Sequence, residues 1–254
     1  YGRINASKAV HNLYVPQVYS TIQSAINAAV AGQTVYISGN QTLSGDINAP
    51  TGVNLNIASG AQIALNNHTM TSGGTINIEN GATITGLKAK IKTPNNAHKG
   101  LYSSISTAIN SNLAAGNYIE IQDGLHSDNL TVYGKDNLTF TGSEDAYLAG
   151  TLNFYFCDNL NIYSSFYNKV NTYYCTNLIS DGTFFSLTAN NTESGLAMYN
   201  CSNIYITGDF DMYNTALTTS YSTGYIYQGV YEDNNTDITA TSSSNIGDQY
   251  SLHC

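Results

Sequence analysis

The 254-residue chain has no tryptophan, a single arginine, and only 10% charged residues. No stretch approaches the roughly 18 consecutive apolar residues of a membrane span, and no lipidation motif is visible, so neither a membrane-spanning helix nor a lipid anchor is expected. There is no phosphate-cradling loop, no dinucleotide fingerprint and no basic aromatic stripe, which excludes the common nucleotide- and nucleic-acid-binding classes. His68, His98 and His126 stand without a Cys or His partner at metal-ligand spacing, so zinc is not expected and nothing calls for a cofactor.

The polarity is supplied by other residues. Asn, Ser, Thr and Tyr are abundant. Hydroxyls and amides of this kind suit strands rich in Thr and Tyr with corners of Asn and Gly, a composition typical of extracellular β proteins. The first residue is Tyr1 rather than Met, so either a leader was removed or the numbering starts inside a precursor; secretion is expected from the composition and not from a visible signal. Eight Asn-x-Ser/Thr sequons occur, at Asn5, Asn40, Asn67, Asn129, Asn137, Asn190, Asn200 and Asn234. Chance gives roughly seven at this composition, so they say little about glycosylation.

From residue 135 one phrase recurs: Lys135-Asp136-Asn137-Leu138, Cys157-Asp158-Asn159-Leu160, Cys175-Thr176-Asn177-Leu178, Cys201-Ser202-Asn203-Ile204. The Asn intervals, 137 to 159, 159 to 177 and 177 to 203, fall in the range of one supersecondary unit stacking on itself. Within each phrase apolar and polar residues alternate, as in Leu138-Thr139-Phe140 and Ile204-Tyr205-Ile206, which is the period of a strand with one buried face. The expected fold is therefore all-β, a parallel β-helix. Equivalent positions then form ladders along its axis. Asn137, Asn159, Asn177 and Asn203 are expected to stack at a corner, because Asn tolerates the left-handed region and its amide both donates and accepts. Given how abundant Asn is, chance alignment competes with this reading. Cys157, Cys175 and Cys201 are expected as an inward ladder of small side chains, with a disulfide between adjacent turns geometrically open. Four cysteines allow three pairings, and Cys254 stands alone at the terminus.

The chain also opens twice in the same way. Tyr19-Ser-Thr-Ile-Gln-Ser-Ala-Ile-Asn-Ala-Ala is echoed by Tyr102-Ser-Ser-Ile-Ser-Thr-Ala-Ile-Asn. Ile22, Ala25, Ile26 and Ala29 share one helical face, as do Ile105, Ala108 and Ile109, and Gly32 and Gly116 sit where each helix is expected to stop. Two tandem helix-capped units are expected, 1–95 and 101–254, joined by the connector 93–100. These openings, and the Cys-x-Asn-aliphatic phrases after them, resemble the right-handed parallel β-helix proteins of the pectin-lyase-like superfamily over most of residues 19–213. That resemblance implies a right-handed coil whose first turn is capped by a short amphipathic helix. It says less about activity.

The superfamily's lyases use an Arg or Lys base with Ca²⁺ held by acids, and its hydrolases use spaced carboxylates with a His. Here Arg3 lies outside the repeats, Lys135 and Lys169 sit in no lyase motif, and neither an Asp-Asp pair nor Gly-His-Gly occurs. A non-catalytic member is the expectation. Asp209 and Asp211, two apart on a strand, are open to sugar contact, to Ca²⁺ with Glu232 and Asp233, or to simple solvation. Lys88, Lys90 and Lys92 alternate with Leu87, Ala89 and Ile91; they read as a guard on an exposed strand edge or as a polysaccharide or partner contact. Tyr225 and Tyr227 share a strand face within a Tyr-rich second half and suggest an outer aromatic stripe. Charge is divided, +4 over residues 1–99 and −13 over 100–254. This suits complementary ends, a basic face for a polyanion, or merely two solvated faces. The favoured expectation is a secreted structural protein that self-assembles into a filament, surface layer or adhesive appendage. The alternatives are a carbohydrate-binding or carbohydrate-cleaving β-helix and a viral tail fibre.

Overall fold

A computed structural model describes residues 13–111, 116–142, 145–163 and 166–177, and beyond them the stretches 179–180, 183–185, 195–199, 204–206, 211–213, 216–220, 224–226, 231–232 and 237–241. The fold is an all-β parallel β-helix, a solenoid of about seven turns, with two short helices among the described residues. By its contacts the chain forms two compact units, Tyr1–Leu87 with Asn96–Ser103, and Lys88–Asn95 with Ser104–Cys254.

In the first unit the strands Leu13–Val15, Thr34–Ile37, Asn54–Ile57 and Thr69–Ile78 lie side by side in parallel. Asn40–Thr42, Gln62–Ala64 and Thr83–Thr85 form a second parallel face. Alternation puts Val35, Ile37, Leu55, Ile57 and Ile63 into a core that is fully shielded from water. The helix α1 (Ile22–Ala28) closes this core with Ile22, Ala25 and Ile26. Its start is set by a capping box, in which Ser24 N donates to Thr21 Oγ1 at 3.1 Å and Thr21 N donates to Ser24 Oγ at 3.3 Å. The helix α2 (Ile105–Asn110) is built alike in the second unit, capped by Ser104 and burying Ile105, Ala108 and Ile109.

Both helices stop earlier than their glycines. The residues after them, Ala29 and Ser111, are already extended, while Gly32 and Gly116 take left-handed φ values of 88° and 81° in the turns that lead into the next strands. The expectation that these glycines end the helices is corrected accordingly: they serve the turn, a conformation in which a side chain would be strained. Ala29, expected on the buried face, is the C-cap and only partly buried.

In the second unit one parallel face comprises Tyr118–Ile121, Thr139–Gly142, Asn161–Ile162, Ile179–Ser180, Ile204–Ile206 and Gly224–Ile226. The other carries Leu130–Tyr133, Ala146–Tyr155, Phe166–Tyr173, Gly195–Tyr199, Ala216–Ser220 and Asp237–Thr241. Tyr133 lies opposite Tyr155, Tyr155 opposite Tyr173, and Tyr173 opposite Tyr199. Each of these steps equals the corresponding Asn interval of the sequence, so the repeated phrase marks one turn of the coil.

Antiparallel strands close each unit. Ala89–Lys92 runs antiparallel to Tyr118–Ile121 in the second unit, and His98–Tyr102 runs antiparallel to Thr69–Ile78 in the first. The segment 93–100, expected as a plain connector, therefore contains the start of a strand. Leu101 and Tyr102 anchor it by burial, whereas its first residues show no apolar alternation that would reveal it in sequence.

Candidate functional site

The corner that follows each of the strands Leu130–Tyr133, Ala146–Tyr155 and Phe166–Tyr173 concentrates the chain's distinctive chemistry. Two positions in every such corner are left-handed: Gly134, Phe156 and Tyr174 with φ of 59°, 54° and 55°, then Asn137, Asn159 and Asn177 with 56°, 55° and 51°. Asn takes this conformation readily. For an aromatic residue it is an outlier, and such outliers persist only where surrounding contacts hold them. Here the contact is ring stacking. Phe156 and Tyr174 lie 5.0 Å apart with planes 5° from parallel, and Tyr155 and Tyr173 lie 4.6 Å apart, also at 5°. Tyr133 extends the row, 6.4 Å from Tyr155 and 5.3 Å from Phe156. Tyr133, Phe156 and Tyr174 are 69%, 49% and 52% exposed, so the double row is an outer surface.

Phe156 with Tyr174 and Tyr155 with Tyr173 are layered face on face and cover each other's π-faces, whereas Tyr133, tilted 59° to Phe156, is the most exposed of these rings.

Beneath and beside the rings run polar and thiol ladders. Asn159 Nδ2 donates to Asn137 Oδ1 at 3.0 Å, which joins two members of the expected Asn ladder. Asn177 Nδ2 donates to Asp158 Oδ1 at 2.7 Å, so an acid takes part in the corner as well. Thr176 Oγ1 also donates to this carboxylate. These two hydrogen bonds hold the Asp158 carboxyl below its ordinary value. Asn171 Nδ2 donates to Asn153 Oδ1 at 2.8 Å on the neighbouring face. Cys157 and Cys175 are buried thiols on successive turns.

Lys88, Lys90 and Lys92 are occupied within the second unit. Lys88 pairs with Asp128 at 3.0 Å, in a half-exposed bridge of little energetic weight. Lys90 and Lys92 both reach Glu120, and the side chains of this trio are only 15–20% exposed. Lys90 sits directly opposite Glu120 in the antiparallel pairing, so the lysine strand is a paired partner here and not an open edge. Burial pushes the Glu120 carboxyl up, but Lys92, Gln122 and Lys90 together outweigh it and hold the group below its ordinary 4.5.

Because Glu120 is depressed in the folded state, the native protein binds its proton more weakly than the unfolded chain. Its contribution is complete above about 4.5 and is lost as pH falls through the lower folded value. Glu120→Gln is expected to lower unfolding free energy at pH 7 by about 1–3 kcal/mol, leaving two shielded ammonium groups without their counter-charge. The check is the urea midpoint of wild type and variant at pH 7 and pH 3, where the difference should shrink at the lower pH. An equal difference at both would show that the ion pairs contribute nothing.

The remaining candidates are placed as follows. Asn203, Cys201, Asp209, Tyr227 and Cys254 lie outside the described residues. Asp211 begins the strand Asp211–Tyr213 opposite Tyr231, and Tyr225 is the middle residue of Gly224–Ile226 opposite Tyr205. His68 lies 3.5 Å from Asp46, and the His126 ring shares a 2.8 Å hydrogen bond with the Gln122 carbonyl. Among the described residues no group of three or more His, Cys, Asp or Glu is placed to hold a metal ion, and no helix is long and apolar enough to cross a membrane.

Tyr133 and Phe156 are not among the candidates that the sequence singles out. Their signal is nonetheless present: they precede the repeated phrase by a constant distance, as Tyr133-Gly134, Tyr155-Phe156 and Tyr173-Tyr174, at the same intervals as the Asn residues. No family model, no curated protein and no solved structure matches this chain.

Proposed function

We propose that this chain is a non-catalytic structural protein, secreted, whose copies join head to tail into an extracellular filament, surface layer or adhesive appendage. The observation that carries the reading is the set of axial ladders. In the described corners, aromatic rings stack on their equivalents on the next turn and amides bond to an amide or a carboxylate there, which devotes polar and aromatic side chains to stiffening the coil. Two further features support it. Among the described residues, Leu13–Val15 pairs on one side only, with Thr34–Ile37, and Asp237–Thr241 pairs on one side only, with Ala216–Ser220. A strand with an unpaired side is a template for another chain. Counted by unit, with Lys88, Lys90 and Lys92 in the second, the charge is +1 and −10; this asymmetry would favour contact between unlike ends, and a heterologous contact that does not close gives a filament. The likeness of the helix-capped openings to pectin-lyase-like coils fits the same reading, since that fold serves binding and structure as well as catalysis.

Negative-stain electron microscopy of the purified protein at low and high salt is the direct test. Ordered filaments that loosen as salt screens the charged ends are expected. Dispersed monomers in both conditions would overturn the proposal and turn attention to acidic polysaccharides as ligands.

A further inference from the structure

Cys157 and Cys175 occupy the same place on consecutive turns. Tyr155 lies opposite Tyr173 before them and Asp158 opposite Thr176 after them, with the same offset on both sides, so the two cysteines face each other in continuous register. The backbone on either side is hydrogen-bonded across the gap, with Phe156 N donating to Tyr173 O and Thr176 N to Cys157 O, both at 3.0 Å. The side chains are 1% and 0% exposed. Both turn toward the chain behind them: Cys157 Sγ is 3.5 Å from Tyr155 O, while Cys175 Sγ is 3.5 Å from Tyr173 O and 3.8 Å from Phe154 O. Adjacent turns of a coil lie about 4.8 Å apart, inside the roughly 4.4–6.8 Å between Cα atoms that a disulfide spans. The two sulfurs also interact. A hydrogen bond from Cys175 draws the Cys157 thiol below its ordinary value, against the burial that pushes it up, which favours the thiolate.

We propose that Cys157 and Cys175 are a modification site, an oxidisable dithiol that a peroxide converts into a disulfide joining two turns of the coil. In the first step the Cys157 thiolate attacks one peroxide oxygen. The S–O bond forms, the O–O bond breaks, and hydroxide leaves, which takes up a proton when hydrogen peroxide is the oxidant. In the second step the Cys175 sulfur attacks the sulfenic sulfur of Cys157. The S–S bond forms, the S–O bond breaks, and water departs with the Cys175 proton. Two thiols lose two electrons in all, and one hydrogen peroxide becomes two waters. Hydrogen peroxide is close to water in size, so a small opening of the corner admits it where a bulky disulfide reagent would be excluded. The inference does not rest on filament formation.

The test uses the full chain in its native state. It is exposed to hydrogen peroxide, unfolded in the presence of an alkylating agent, digested and mapped by mass spectrometry. The expected product is a peptide pair linked through Cys157 and Cys175, lighter by two hydrogens than the separate peptides and cleaved by reductant. The oxidised protein should also melt several degrees higher, since the bond closes the loop from Cys157 to Cys175 in the unfolded chain. Cys175→Ser should remove both the linked peptide and the melting shift. Should the wild-type protein stay folded by circular dichroism with both cysteines still alkylated, or should either link instead to Cys201 or Cys254, the proposal is overturned. Because the mapping is made on wild-type protein, it stands even if the variant folds poorly.

Discussion

Gly150→Ala is expected to destabilise the second unit by about 3 kcal/mol or more, although it adds one methyl group. A Cβ at position 150 would lie 2.2 Å from the Asp128 carbonyl oxygen, 2.6 Å from its carbon and 3.1 Å from Asn129 N. These are backbone atoms, held in place because Thr151 N donates to Asn129 Oδ1 at 2.8 Å, so they have little freedom to retreat. The reason for the approach is visible in the pairing. The strand Ala146–Tyr155 runs beside Gly124–His126 with its first residues and beside Leu130–Tyr133 with its last, so it bends over the corner between them. The first unit repeats the device at Gly73 and Gly74, where a Cβ on Gly74 would be 2.4 Å from Val53 O. Gly45→Ala is the control, because a Cβ there meets nothing within 4 Å. Urea unfolding of the three proteins decides the matter. A Gly150→Ala midpoint equal to that of Gly45→Ala would show that the corner yields easily.

Phe154→Ala is expected to be of similar or greater severity, about 3–5 kcal/mol. Phe154 is shielded completely and meets Phe140 edge to face, with ring centres 5.5 Å apart and planes at 74°. Removing it opens a cavity between the two sheet faces of the second unit. Phe156 makes the informative comparison, being two residues away but on the outer surface. Its truncation removes a stacked ring contact of roughly 0.5–1.5 kcal/mol and leaves no cavity. The ratio of the two losses in one denaturant series measures how far the second unit depends on its core and how far on its outer ladder. Comparable losses would mean that the surface stack is structural to an extent its exposure does not suggest.

What could be read from the sequence follows from which interactions repeat. A coil that returns to the same corner at each turn leaves the corner residue in the sequence at each turn. Asn137, Asn159 and Asn177 carry the period, and the observed strand registers have the same steps. The helices are legible because Ile22, Ala25 and Ile26 form an apolar stripe at helical spacing. The two antiparallel strands are not legible as closures. Each occurs once, so no repetition announces it, and the Lys-Ala-Lys-Ile-Lys pattern that marks the strand Ala89–Lys92 says nothing of its direction or partner. The partners of those lysines are hidden for the same reason. Glu120 is distant in sequence from both Lys92 and Lys90, and only the antiparallel pairing brings it opposite. The aromatic ladder is half legible: the crowding of tyrosine in the second half takes in Tyr155, Tyr173 and Tyr174, but abundance alone points neither to Tyr133 and Phe156 nor to the fixed distance of the rings from Asn.

The two closing strands have a practical implication for anyone cutting this protein into fragments. Following the chain, residues up to 87 belong to the first unit, 88–95 to the second, 96–103 to the first again, and 104 onward to the second. No single cleavage site separates the units with both intact. A fragment ending at 95 forfeits His98–Tyr102, the strand that covers Thr69–Ile78, and one beginning at 101 forfeits Ala89–Lys92, the strand that covers Tyr118–Ile121. Either fragment would carry a raw sheet margin into solution, so clumping in a dissected half would report the severed strand rather than the behaviour of the whole chain.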